Sequence, residues 1–594
     1  MPGLSGVLGS TADQTVLESG FASLAVAGVR NGSVTITHTG ATPTGFGAFH
    51  GDGGVAVAFW GEFYGEAFRD AADGGAVAER LADCFRRDGV EKALRSLDGS
   101  FALFVQLADG TQILAADRVA SRPVFYRVAG DCLYFAPHPR IAGPAKPLDE
   151  DTILSFVVNG HPLSDRSYFR DVRLLRPAHV LRRANGTWSA SEYRPYVVCD
   201  PDAKDAGMDE YAEALAPVLR GALRKQSRYL DTAVVPISGG FDSRGLLAGI
   251  REFYGGPLKT VSWGIHEDDP QADAAIGRRV AAQFQTDHHF LRRRTELVSQ
   301  DLPEVALALD LASDDCLLHH HEPTLIRWIR NELGCRVLFR GDECFGYGGP
   351  ADSAYEALGR ISVMHAGHYS NLPGLLHPET ARRRIDEQKA TYDAIVAECP
   401  HREDWTIAKD WLYLQQRVFR SLNASHYAKL SILEARNPWL DGSVLDFFAG
   451  VPLAYRIDKV LYRHTLTRLF PRLMRDVPMA ERNSLEDWPV VLRADPRFRA
   501  LVESRLFAGD SPLFHIFDRA ALRRAVEAYF AAPPQPSWTA RVVETGKRFL
   551  RANAGSVYRA LKKTAAPKFS IREFPAHLLV GRCLAMRIWL DQNA

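Results

Sequence analysis

The sequence predicts an α/β protein whose second half builds a parallel sheet, and two stretches carry that expectation. Residues 232–243, TAVVPISGGFDS, run from a short apolar strand straight into a Ser-Gly-Gly-x-Asp-Ser turn, after which RGLLAGIREF continues as a helix. Residues 335–346, CRVLFRGDECFG, repeat the format, with an acidic pair at the strand's end. Ligands in open α/β sheets collect outside the carboxyl ends of strands, so both turns are expected at one edge. Between them LKTVSWG, residues 258–264, reads as a further buried strand with a glycine exit at Ser262, Trp263 and Gly264.

The first turn has the chemistry of an anion cradle. A tight turn that opens a helix aims backbone N–H groups and the helix's positive end at a bound anion. Gly239 and Gly240 permit close approach of the backbone, and Ser238 and Ser243 supply hydroxyl donors. Asp242 is a carboxylate suited to the magnesium ion that accompanies ATP. No Gly-Lys-Ser/Thr follows, so this is not a Walker A loop. Asp342, in the second turn, is placed to face Asp242 across a nucleotide and to supply a second metal carboxylate.

Further blocks follow in order. A helix, DPQADAAIGRRVAAQF, leads to Thr286-Asp287-His288-His289, and EARNPWLD spans residues 434–441 before Lys459 in IDKVLYRHTL. Together these blocks resemble the synthetase domain of the asparagine synthetase family, which includes β-lactam synthetase, carbapenam synthetase and the lasso-peptide macrolactam cyclases. The family's Ser-Gly-Gly-x-Asp-Ser falls on residues 238–243. Its Asp-Glu-x-Phe-Gly falls on Asp342, Glu343, Phe345 and Gly346. Its Glu-x-Arg-x-Pro-Phe-Leu-Asp falls on Glu434, Arg436, Pro438, Leu440 and Asp441, with Trp439 in place of Phe, and its late Lys and Arg fall on Lys459 and Arg463.

The resemblance implies an ATP-pyrophosphatase-type parallel-sheet synthetase domain over residues 208–475. It implies ATP and Mg²⁺ as cofactors, with Ser238, Gly239, Gly240, Asp242, Ser243, Ser262, Trp263, Gly264 and Gly341 around the nucleotide. Asp242 and Asp342 are the implied metal ligands, and Lys459 and Glu434 the implied catalytic residues. Arg340 joins the catalytic candidates for a different reason. The family's Ser-Gly-Glu-Gly before the acidic pair is absent, and VLF runs directly into Arg340-Gly341-Asp342. The segment is about two residues shorter on our alignment, and Arg340 puts a positive charge where the attacking amine would lie.

Residues 1–190 resemble the family's other domain, an N-terminal-nucleophile (Ntn) hydrolase-like αββα sandwich of the class II glutaminase type. Strands and turns alternate over residues 96–142, and Trp60-Gly61-Glu62-Phe63-Tyr64 sits where the family has Asn-Gly-Glu-Ile-Tyr. A glutaminase of this fold needs Cys at position 2 as its nucleophile. The chain begins Met1-Pro2-Gly3-Leu4, its first cysteine is Cys84, and Trp60 replaces the glutamine-binding Asn. The expectation is a domain without glutaminase activity.

Composition agrees with a large cytoplasmic enzyme. The 594 residues carry 72 Lys and Arg against 71 Asp and Glu, a net charge of +1 that gives no reason to expect nucleic acid. No apolar run reaches the roughly 18 residues that span a bilayer, and the start lacks a signal-peptide pattern. Eight scattered cysteines without zinc spacing read as reduced thiols. A turn-rich boundary is expected near residues 185–207, with a long helix from about Met208. Residues 476–594 read as a mainly helical extension, with a linker at 531–536 and a basic stretch at 541–572 that reads as a solvated helix face. His319-His320-His321 reads as a helix-start segment near the substrate pocket rather than a metal site, because adjacent residues point in different directions.

The reading that follows is an ATP-dependent, AMP- and pyrophosphate-forming amide ligase that does not use glutamine. Its substrate is a small molecule or peptide bearing a carboxylate and an amine, with a precursor-processing protein as a further partner. Peptide macrolactam formation is the leading specific expectation. The alternatives are ammonia-dependent amidation in a polysaccharide or natural-product pathway and, from another class, an inactive nucleotide-binding scaffold.

Overall fold

The computed structural model describes residues 2–9, 22–141, 147–199, 206–228, 230, 232–265, 267–481, 488–531 and 571–593. The linker at 532–536 and nearly all of the basic stretch lie outside these residues.

The first half forms two antiparallel six-stranded sheets. One contains β1 (Gly3–Leu8), β2 (Ala22–Ala25) and β3 (Gly32–His38), with later strands joining it. The other is built around β4 (Phe46–Gly51) and β5 (Val55–Phe63), flanked by helix α1 (Gly74–Ser96) and followed by β6 (Gly99–Gln106) and β7 (Gln112–Ala116). β8 (Phe125–Ala129), β9 (Cys132–Ala136) and β10 (Arg173–Leu174) complete the first sheet, and β11 (His179–Ala184) and β12 (Thr187–Glu192) the second. Strand β5 shows why the sheets pack in layers. Side chains alternate across a strand, so Ala56, Ala58 and Trp60 join the core shared with Leu4 and Ile36 of the first sheet. Val55, Val57 and Phe59 join the core formed with α1. Helix α2 (Glu150–Asn159) closes this half, capped by Asp149 and ending at the left-handed Gly160.

The second half opens with α3 (Met208–Gln226) and folds as a five-stranded parallel sheet. Its strands are β13 (Ala233–Pro236), β14 (Leu258–Gly264), β15 (Asp287–Arg292), β16 (Val337–Phe339) and β17 (Glu434–Arg436), in the order β15-β14-β13-β16-β17. Helices α4 (Phe241–Phe253), α5 (Asp273–Gln283) and α6 (Glu322–Asn331) make crossovers, and α7 (Val460–Leu469) packs on α3. β13 (AVVP) and β16 (VLF), in the middle of the sheet, read as apolar runs because both faces are covered there, whereas the edge strands β15 and β17 carry charged residues.

The C-terminal helix α8 (Ala576–Asn593) is buried from Leu579 to Leu590. Trp589 meets Tyr168 with ring centroids 4.9 Å apart and donates to Asp310 at 3.1 Å. Arg582 pairs with Asp314 at 2.8 Å and donates to the carbonyls of Val157 and Val158. The extension is thus built into the contact between the halves. All eight cysteines are free thiols and seven are buried. Among the described residues no helix is long and apolar enough to cross a membrane.

Candidate active site

Three loops converge at the carboxyl edge of the parallel sheet. After β13 the chain turns at Gly239 and Gly240 and enters α4, with Asp242 in its first turn. The Ser243 hydroxyl lies 3.1 Å from both the Ser238 amide and the Ser238 hydroxyl, and Gly240 N–H donates to Ser238 Oγ at 3.2 Å. These contacts shape the cradle before any ligand enters. A side chain at 239 is excluded, because its Cβ would fall 2.3 Å from Ala480 Cβ. Segment 477–481 lies over the loop and is tied there by Arg244, whose guanidinium donates to the carbonyls of Gly239 at 2.9 Å and Val477 at 2.7 Å, and to that of Pro478.

The loop after β16 carries Gly341, where an added Cβ would meet Asp242 Cβ at 3.8 Å, so the two turns touch. Trp439 is fully buried beside them and donates its indole N–H to the Asp242 carbonyl at 3.3 Å. That contact accounts for Trp where the family pattern has Phe.

Lys459 reaches this point from the entrance to α7. Asp458 and Lys459 both adopt left-handed backbone angles, with φ of 54° and 59°, a conformation that non-glycine residues hold at a cost. Lys459 Nζ lies 2.8 Å from Asp242 Oδ2 and 3.0 Å from Glu343 Oε1. Burial works against its charge, but Glu343 and Asp242 outweigh it and hold the lysine above its ordinary pKa. Burial pushes the Glu343 carboxyl up, with Lys459 and the Phe345 N–H favouring the ionised form.

Asp342 has different partners. Arg340 pairs with Asp342 Oδ2 at 2.6 Å, and His426 Nε2 lies 3.0 Å from the same oxygen. Burial would raise Asp342, but Arg340 and His426 hold it well below the usual carboxylate range. Burial, with Arg340 and Lys429, draws His426 down to about 3. The positive charge expected at Arg340 is therefore neutralised by its neighbour in sequence. Arg340 also donates to Asn423 Oδ1 at 3.1 Å, and Asn423 donates to the Val119 carbonyl at 2.7 Å, linking the site to the first half. Both Asn423 and His426 follow a π-helical stretch, residues 413–422, a conformation that often marks functional positions.

Asp242 Oδ1 is buried without a hydrogen-bond partner. Magnesium is bound through one or two carboxylates, water and substrate phosphates, so Asp242 and Asp342 suit it. Among the described residues there is no group of three or more His, Cys, Asp or Glu that could hold a metal ion. Ser262 and Gly264 end β14 at this edge, but the Ser262 hydroxyl is engaged by His288 Nε2 at 3.0 Å. Trp263 packs half-buried against the core of β13, β14 and α6.

Glu434 is not brought to Lys459. It pairs in register with Val337 at the amino end of β17, away from the carboxyl edge. There it forms a buried ion pair with Arg122, whose guanidinium lies 4.7 Å from the Trp60 ring centre. Two residues on, Arg436 grips Glu62 in a bidentate pair with both bonds at 2.7 Å. These four charges join the two halves. The reading of Glu434 as catalytic is replaced by one in which it braces the domain contact, since it follows the register of its strand rather than the active edge.

Several functional positions were missed by the sequence reading. Asp273 accepts from Gly239 N–H at 3.1 Å, Arg244 directly follows the first motif, and Asn423, His426 and Ala480 reach the site from segments without a motif. The acidic pair after β16 was the one available signal for Glu343.

The asparagine synthase family model matches residues 214–545, more than half of the chain. The chain belongs to the asparagine synthase family. It is accordingly an ATP-dependent carbon–nitrogen ligase, and the glutamine amidotransferase domain model matches residues 27–194 in its first half. No relative among curated proteins matches. Among solved structures, the glutamine phosphoribosylpyrophosphate (PRPP) amidotransferase from B. subtilis, complexed with ADP and GMP, is 12% identical, covering 44% of this chain and 67% of its own, with a TM-score of 0.20. A structure described as the allosteric regulatory enzyme of purine biosynthesis is 11% identical, covering 49% and 74%, with a TM-score of 0.21. At these scores neither adds to the family assignment.

Proposed function

We propose that this family member adenylates a substrate carboxylate with ATP and then joins it to an amine that does not come from glutamine. The observation that carries the reading is Lys459 held between Asp242 and Glu343, at the first turn of the helix that the Ser238–Ser243 loop opens. The 238–243 loop and the start of α4 would bind the triphosphate. Asp242 and Asp342 would hold magnesium, whose charge offsets that of the departing pyrophosphate. The substrate carboxylate oxygen attacks the α-phosphorus and pyrophosphate leaves. The amine then adds to the acyl carbon, loses a proton, and AMP departs as the amide forms. Lys459 is a compact mobile cation that can move from its resting carboxylates to the charge developing at phosphorus and later at the acyl oxygen. A contact that strengthens as charge develops accelerates the step.

Two contacts support an amine from another source. Glu62 and Trp60, in the former glutamine-binding motif, are engaged with Arg436 and Arg122. A carboxylate and an amine on one peptide, closed into a macrolactam, is the specific reaction we favour, in a cytoplasmic chain organised as residues 1–190, 208–475 and 476–594. Ammonia as the amine is the second reading, favoured by the amidotransferase-like first half.

The test uses substrate labelled with ¹⁸O in the carboxylate. Adenylation transfers one label to AMP. Label appearing in inorganic phosphate together with ADP would replace this mechanism with acyl-phosphate chemistry.

A further inference from the structure

A cavity of about 320 Å³ lies where the two halves meet, at the lower end of the size range of small-molecule pockets. Phe125 of β8, Leu174 of β10 and Pro162 wall it on one side, and Arg420, Ala424 and Tyr427 on the other. The chain is helical from residue 413 to residue 430, so these last three recur at the spacing of one helix face. Arg420 is 4% exposed. Its Nε and Nη2 donate to the carbonyls of Pro162 at 3.2 Å and Arg166 at 3.0 Å, while its Nη1 has no hydrogen-bond partner. Tyr427 is 2% exposed, and its hydroxyl also lacks a partner.

Two neutral carbonyls do not balance a buried guanidinium, and an uncompensated buried charge is costly. The acids that stand near are engaged elsewhere. Asp165 pairs with Arg173 at 3.4 Å, and Asp310, in the cavity wall, lies 2.5 Å from Arg140 and 2.6 Å from His138. Other polar groups of the wall are spent as well. The Ser167 hydroxyl bonds the carbonyls of Phe169 at 3.1 Å and Val172 at 2.8 Å, and the Tyr168 hydroxyl donates to that of Leu311 at 2.6 Å. Burial pushes the Tyr427 hydroxyl up to about 12, so it stays a proton donor. The chamber therefore offers two unspent donors, one of them charged, among apolar side chains.

The same helical segment serves the active site. Asn423 and His426 hold Arg340 and Asp342, and the residue after each of them, Ala424 and Tyr427, lines the cavity. We propose that the cavity is an effector site for a small monocarboxylic acid with an apolar body, bound through Arg420 and Tyr427 and felt at Asp342 through the 423–427 turn. The apolar walls disfavour phosphate, which would give up its water there, and Asp310 disfavours a second negative charge. The assignment is independent of which acid the ligase activates.

The test measures binding to the full chain by calorimetry, with hexanoate, hexan-1-ol and inorganic phosphate as probes. Without ATP, hexanoate should bind the wild type and raise its melting temperature. It should bind Arg420→Met at least about tenfold more weakly, the loss expected for a charge-assisted hydrogen bond, and Tyr427→Phe a few-fold more weakly. Saturating hexanoate should shift the ATP affinity of the wild type by at least about fivefold, within the usual range of coupling between sites, and leave that of Arg420→Met unmoved. No hexanoate binding by the wild type would overturn the site. Hexan-1-ol binding as tightly as hexanoate would reduce it to an apolar void, and phosphate binding in place of hexanoate would also overturn it. Hexanoate binding that survives Arg420→Met would belong to the acyl-substrate site and overturn the proposal. An unchanged ATP affinity would overturn the effector role. Should Arg420→Met fail to fold, Tyr427→Phe removes only an unpartnered hydroxyl, and undiminished hexanoate binding by that variant would overturn the site.

Discussion

Lys459 Nζ stands 2.8 Å from Asp242 Oδ2, joining residues 217 positions apart. The lysine is therefore parked on the carboxylate proposed to receive magnesium, and the metal and the cation would exchange places as the nucleotide binds. Replacing Lys459 with Met keeps much of the stem and removes the charge. AMP formation should fall by about 10²–10³, the usual loss for one well-placed transition-state donor, while ATP still binds. Single-turnover AMP release checks this, and turnover within a few-fold of wild type would make Lys459 a structural ion-pair partner of Asp242 and Glu343 rather than a catalytic group.

Gly239 tests the strap over the phosphate loop. Gly239→Ala drives its Cβ to 2.3 Å from Ala480 Cβ and 2.9 Å from Ala480 N, an overpacking worth about 1–3 kcal/mol. ATP affinity should fall, and adding Ala480→Gly should restore part of it by removing the closer of the two contacts. A Gly239→Ala variant with wild-type ATP affinity would show that segment 477–481 does not press on the loop.

Glu434 separates bracing from chemistry. Glu434→Gln leaves Arg122 buried without its ion-pair partner, and breaking a buried pair costs about 3–5 kcal/mol. The variant should melt earlier, while the folded fraction still forms AMP. Normal stability with abolished AMP formation would return Glu434 to the catalytic group.

The strand ends and their turns were legible because they depend on local patterning. Apolar runs closed by Ser238-Gly239-Gly240 and by Asp342-Glu343 mark β13 and β16, and the helix expected from about Met208 begins there. The pairings were not legible. Nothing near residue 340 shows that Arg340 will spend its charge on Asp342, or that a π-helical stretch far along the chain will deliver Asn423 and His426 to that pair. Glu434 carried a family signature, but its side of the sheet is set by the register of β17 with β16. Arg420 sits in an unremarkable helical run, and only packing shows that it is buried.

Acid should weaken the fold through buried histidines. Burial lowers His161 to about 3 and His319 to about 4. Unfolded, both rings take up a proton below about 6.5, whereas folded they stay neutral. Stability is thus fully present above 6.5 and is lost as pH falls toward 4, each ring contributing on the order of 1.4 kcal/mol per pH unit. Urea midpoints at pH 7 and 5 should differ accordingly, and a flat profile would show that these rings are protonated in the fold.

Glutamine should be inert. With Glu62 bound by Arg436 and Trp60 covered by Arg122, purified protein should release no glutamate from glutamine, with or without ATP. Hydrolysis that persists after contaminating glutaminases are removed would contradict this.

The central claim is carboxylate adenylation at the 238–243 loop, and pyrophosphate exchange reads it most directly. Wild-type protein given ATP, magnesium, labelled pyrophosphate and a panel of small acids and linear peptides should return label to ATP, without glutamine and with only the true acyl substrate. Asp242→Asn and Asp342→Asn should each abolish the exchange while remaining folded. Exchange at near wild-type rate in either variant would contradict the account by placing the chemistry elsewhere.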